Sequence, residues 1–204
     1  MTNLDIKQKT IAKEVSLSGV GLHTGKSVNM TFKPAPENYG YAFVRIDLEG
    51  KPVIEADANY VVTTERGTNL EKNGVNINTS EHVLAALVGL QIDNCIIELD
   101  ASEPPIMDGS SKYFIEILET AGLIEQEAFV EEYVVKEIIS YKDEKTGSEI
   151  MILPSEKYEL TTMVDFGTNV LGTQNAFINE ISEFKKEISD SRTFSFLHEI
   201  EMLL

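Results

Sequence analysis

Glu81 and His82 stand side by side in "INTSEHVLAAL", where an extended segment gives way to an apolar helical pattern. A carboxylate and an imidazole at such a junction support two readings. The first turn of a helix has free N–H groups and a partial positive end, so an acid there complements the dipole and the histidine is a half-exposed turn residue. The chemical reading is a metal ligand next to a carboxylate that takes a proton from metal-bound water. A catalytic zinc needs at least three protein ligands. The other histidines, His23 and His198, share no metal-ligand spacing with His82, so these residues alone make an incomplete site.

Three further stretches could bear on chemistry. "GVGLHTGKS", from Gly19, invites comparison with a phosphate loop, but the spacing of Gly19 and Gly25 departs from GxxxxGK and a strand pattern, "VNMTF", comes next where a helix is required. It reads as a glycine-rich connection between strands that carries His23. "PPIMDGSS" reads as architecture: the prolines exclude helix, Asp108-Gly109 makes a turn, and Ser110 or Ser111 caps the next helix. "SRTFSF" sets Arg192, the Thr193 hydroxyl and two aromatic rings before a helical pattern, and equally fits a buried aromatic pair. The single cysteine, Cys95, lies in the apolar run "NCIIEL" and is expected to be a buried, inert thiol.

The elements that position these residues emerge from periodicity. Alternating β-branched, aromatic and polar residues predict strands over 11–17, 28–33, 41–47 and 75–78. Thr79 or Ser80 is expected to cap a helix whose inner face is Val83, Leu84, Leu87 and Val88. A buried strand is predicted over 95–99 and a second helix over 111–121, the helix burying Phe114, Ile117, Leu118 and Ala121 and stopping at Gly122. Strands and two helices make a complete two-layer unit, with a charged linker expected over 125–132. A second start is then visible: "IAKEVSLS" at Ile11 is echoed by "VVKEIISY", and "GKSVNMTFKP" at Gly25 by "GSEIMILP", at an offset of about 122 residues. An amphipathic segment over 177–188 precedes "RTFSFLHEIEMLL", and the sequence stops within that apolar pattern, as expected of a piece of a longer chain.

Composition narrows the partners. A net charge of −17 makes duplex nucleic acid or an anionic membrane an unsuitable partner. The amino terminus lacks the apolar core of a signal peptide and no apolar run approaches a membrane span, so a cytoplasmic protein without stable membrane insertion is expected.

Together "SGVGLHTGK", "TSEHVLAALVGLQIDN", "EPPIMDGS" and "SRTF", in this order, closely resemble the UDP-3-O-acyl-N-acetylglucosamine deacetylases, zinc amidases of lipid A synthesis. The resemblance spans residues 8–203. It implies an α+β fold of two similar β-β-α-α two-layer units facing each other, here 1–127 and an incomplete 128–204, with the site between them. It also implies that Glu81 is the general base, His82 a zinc ligand, Thr193 an oxyanion donor, Phe194 a neighbour of the sugar, Phe166 part of the nucleotide pocket and His23 a loop histidine near the substrate. The family's remaining zinc ligands, a His and an Asp four apart on one helix, and its catalytic acid belong beyond residue 204, so these 204 residues by themselves are expected to be inactive. "TTERGTNL", from Thr63, departs from the family pattern. A non-catalytic sugar-nucleotide-binding or regulatory module on the same fold is the alternative.

Overall fold

The computed structural model describes residues 6–168 and 170–197. The predicted strand over 11–17 is two strands, β1 (Lys7–Ile11) and β2 (Val15–Val20), separated by a bend. The bend lets the chain change sheets: Ile11 pairs with Leu123, whereas Val15 pairs with Phe32. β3 (Ser27–Pro34) comes next, with Val28, Met30 and Phe32 buried on one face and Ser27 and Asn29 exposed on the other, as its period of two requires. β4 (Tyr41–Arg45) and β5 (Val53–Glu55) form an antiparallel pair. Three short strands, β6 (Val61–Thr63), β7 (Asn69–Lys72) and β8 (Val75–Ile77), make a separate sheet. α1 (Glu81–Gly89) leads to β9 (Cys95–Leu99), and α2 (Lys112–Ala121) to β10 (Leu123–Phe129).

β9 is the centre of the largest sheet, whose order is β2-β3-β9-β4-β5. It runs antiparallel to β3 and parallel to β4, and its Cys95, Ile97 and Leu99 are fully buried. Val83, Ala86 and Leu87 of α1 and Phe114, Ile115 and Leu118 of α2 join them in one core. Burial pushes the Cys95 thiol up to about 12, so it stays protonated and inert, as its apolar surroundings in the sequence require.

The expected linker over 125–132 is a strand as far as Phe129. Its charges are outward cross-strand partners of β1, with Glu125 opposite Lys9 and Lys7 2.9 Å from Glu127, while Gln126 donates to the carbonyl of Ala35. Regular structure lapses only after it, over 130–138, where Tyr133 is 95% exposed. Brief chymotrypsin treatment is therefore expected to cut first at Tyr133 and leave a folded amino-terminal fragment. First cuts inside β9 or α2 would show that this fragment does not hold together by itself.

The second half has two hairpins, β11 (Ile139–Lys142) with β12 (Glu149–Ile152) and β13 (Leu160–Asp165) with β14 (Thr173–Ile178), each a two-stranded sheet. The sequence echo falls on matching structures. β2–β3 and β11–β12 are both antiparallel hairpins, Gly25 and Gly147 both have positive φ (62° and 75°), and each N–H donates to the carbonyl four residues earlier. The amphipathic segment expected over 177–188 is the end of β14, a 3-10 turn and the short helix α3 (Phe184–Glu187). Helix begins late because the Glu183 carboxylate accepts the Asn179 N–H at 2.8 Å, closing a turn there. Phe184 packs on Gly89 of α1 so closely that a β-carbon at Gly89 would collide with its ring. The helical pattern expected at the carboxyl end, with His198, lies outside the described residues. Among the described residues the architecture is mixed, several small sheets with few helices, compatible with an α+β fold, and no helix is long and apolar enough to cross a membrane.

Candidate functional site

The junction carrying Glu81 and His82 is held by loops, not by a conventional helix cap. Neither Thr79 nor Ser80 makes the expected side-chain cap. Their hydroxyls are engaged elsewhere: Ser80 Oγ donates to the carbonyl of Thr68 at 2.8 Å, and Thr79 Oγ1 donates to Glu103 Oε1 at 2.9 Å. Thr79 also has φ of 52°, a left-handed conformation that a β-branched residue adopts only under constraint. Half-buried Glu81 then accepts the Thr68 N–H through Oε2 at 2.8 Å, leaving Oε1 3.9 Å from His82 Nε2. A backbone donor thus aims one carboxylate oxygen and leaves the other beside the imidazole.

His23 is exposed on the loop between β2 and β3. Its Nε2 lies 3.1 Å from the carbonyl oxygen of Arg66, to which it donates when that nitrogen carries the proton. The segment "TTERGTNL" therefore touches both His23, through Arg66, and Glu81, through Thr68. A cleft of about 230 Å³ opens here, lined by His23, Glu65, Arg66, Asn69 and Asn78.

Beneath the His23 loop sits Glu103, with no exposed surface. It accepts the backbone N–H groups of His23 (3.1 Å to each oxygen) and Thr24 (2.9 Å), and the hydroxyls of Thr24 and Thr79 (both 2.9 Å). Burial alone would raise this carboxyl, but the donors from Thr24, His23 and Thr79 outweigh it and hold it below the usual glutamate range. The glycines of "GVG" are explained by the same neighbourhood. A β-carbon on Gly21 would lie 2.6 Å from Glu103 Oε2, and one on Gly19 would lie 2.8 Å from the Pro105 side chain. The sequence offered no signal for Glu103 beyond one acid beside a proline-rich turn.

The remaining candidates gather separately. Phe166 and Phe194 meet edge to face with ring centres 5.0 Å apart, and Phe196 lies 5.7 Å from Phe194. The buried aromatic pair is not what forms, for Phe194 is 59% exposed. The Thr193 N–H donates to the carbonyl of Gly109 at 2.8 Å, and Arg192 lies 3.4 Å from Asp108. The turn read as architecture therefore also docks the "SRTF" segment. So the structure brings Glu81, His82 and His23 around one loop, and Phe166, Thr193 and Phe194 into another group at the Asp108-Gly109 turn.

These neighbours bear directly on metal chemistry. Among the described residues no three His, Cys, Asp or Glu side chains converge as a metal site. His82 offers one nitrogen and Glu81 a carboxylate already engaged by Thr68, so the described residues do not hold a catalytic metal unaided.

Comparison with known proteins places the chain in a lineage. Residues 8–204 match the family LpxC: UDP-3-O-acyl N-acetylglycosamine deacetylase. A protein of Bacteroides thetaiotaomicron named bifunctional enzyme LpxC/FabZ is 47% identical over 199 residues, covering 98% of this chain and 43% of that protein. The UDP-3-O-acyl-N-acetylglucosamine deacetylase of Myxococcus xanthus is 41% identical, covering 96% of this chain and 62% of that protein, and the one of Saccharophagus degradans 42% identical, covering 97% and 66%. The chain thus spans between two fifths and two thirds of the length of these relatives, and with the match running over nearly all its residues it belongs to the LpxC deacetylase family.

Proposed function

We propose that the protein containing this chain hydrolyses the N-acetyl amide of UDP-3-O-acyl-N-acetylglucosamine to the free amine and acetate, in the cytoplasm, as the committed step of lipid A synthesis. The observation that carries this reading is the adjacent Glu81–His82 pair with its carboxylate fixed by the Thr68 N–H. Glu81 acts as general base, accepting a proton from the attacking water. Thr193 donates its hydroxyl to the carbonyl oxygen as that atom gains charge, and the amide C–N bond breaks as the nitrogen takes a proton from an acid outside the described residues, releasing the free amine and acetate. His82 supplies one zinc ligand, the others coming from outside the described residues. His23, Phe166 and Phe194 contact substrate. No nucleic-acid partner is part of this function.

The fold proposed with it is two β-β-α-α units, 1–127 and 128–204, the second incomplete over these residues. The repeated hairpins with their matched glycine turns support the duplication. The alternative is a non-catalytic sugar-nucleotide-binding module on the same fold.

Acetate release from the UDP-sugar by the complete protein, with one zinc bound per chain, is the deciding test; a metal-free protein that binds the nucleotide sugar and leaves it intact would establish the module. In the active protein Phe166→Ala is expected to raise KM several-fold with little change in kcat, since a pocket wall binds ground and transition states alike. An unchanged KM would take Phe166 out of the pocket.

A further inference from the structure

We propose that Glu103 is a positioning residue for this reaction: its buried carboxylate sets the Glu81–His82 turn and the His23 loop in register with each other. The inference rests on the function proposed above. Two segments far apart in sequence, residues 23–24 and residue 79, share this one side chain as acceptor. A single rigid group therefore defines the distance between a loop that lines the cleft and the start of the helix that bears the base.

Two independent features show that the fit is close. Thr79 stands in the left-handed region two residues before Glu81, and its hydroxyl ends on Glu103 while its N–H donates to Asn69 Oδ1 at 3.1 Å. The loop side leaves room for the carboxylate only because residue 21 has no β-carbon. All the groups facing the carboxylate are donors, so an acceptor on both oxygens is what the cavity demands. An amide matches it less well: its NH₂ finds an acceptor only if the Thr24 or Thr79 hydroxyl turns around, and the backbone N–H of His23 or Thr24 on that side then loses its own.

The test uses the complete protein. Glu103→Gln is expected to lower kcat about 10- to 100-fold, the size of effect that a small displacement of reacting groups produces, with a smaller change in KM. Amide exchange, read by mass spectrometry or NMR, should quicken at residues 23–24 and 79–82 while β9 keeps its protection. Thr79→Val removes one hydroxyl at nearly constant shape and should act in the same direction more weakly, and Gly21→Ala should do so with the charge retained; these two decide the matter if Glu103→Gln does not fold. Unchanged kcat in all three variants would overturn the proposal. So would faster exchange spread evenly through β9 and α2, which is the mark of lost stability alone. If the parent protein releases no acetate, the proposed function fails, and the exchange pattern still decides whether Glu103 positions the turn.

Discussion

Glu81→Ala in the complete protein is expected to keep its zinc and lose rate by about 100-fold or more, the usual contribution of a general base. His82→Ala is expected to lose metal and activity together. Because Glu81 also accepts the Thr68 N–H, alanine would free that loop as well as remove a base. Glu81→Gln separates the two effects. Its amide oxygen can still accept from Thr68, yet it cannot take a proton from water. Equal losses in the Gln and Ala variants, measured as kcat with metal content by plasma emission, identify the carboxylate as the base. Near-normal turnover in Glu81→Gln would place the base on another residue, and metal loss in both single variants would make Glu81 a ligand.

Phe43→Ala is expected to be the most damaging single change to stability. Phe43 lies in β4 opposite Ile54 of β5 and Ile97 of β9, and all three are fully buried. Truncation leaves a ring-sized void in the core against the buried face of the sheet, at about 3–5 kcal/mol. Urea unfolding tracked by circular dichroism should show a lower midpoint at unchanged slope. A shift of under about 1 kcal/mol would mean that the sheet relaxes around the gap far more than its packing suggests.

Much of this arrangement was legible wherever one face of an element is buried and the other wet. β3 shows it plainly, with Val28, Met30 and Phe32 inward, and β9 was placed to the residue by its apolar run. β10 was not, because charged residues on a two-stranded ribbon look like a linker until Lys7 and Lys9 are seen opposite them. The expected cap of α1 failed for a related reason. Hydroxyls at Thr79 and Ser80 have the right type and position, but tertiary acceptors on Glu103 and Thr68 outcompete the helix N–H groups. In the site, the adjacency of Glu81 and His82 was visible as a pair of ionisable groups. The Thr68 N–H that aims Glu81 was not, since every residue but proline carries one. Glu103 was hidden because its importance depends on which loops meet over it.

The place of β9 in its sheet also governs how this chain folds and how it behaves in concentrated solution. β2–β3 and β4–β5 are local hairpins of the kind that close in about 1–10 μs. They become one sheet only when β9 enters between them, which pairs Leu99 with Met30 and Cys95 with Tyr41 across long stretches of chain. That loop-closure entropy must be met before any ladder bond rewards it, so the rate of folding is set by a strand in the middle of the sequence and not by the hairpins. β11–β12 and β13–β14 are two more such hairpins, and no strand joins them among the described residues. Ile150, Met163 and Phe177 on these hairpins are more than half exposed, an apolar surface that, in these 204 residues taken alone, favours association growing with concentration.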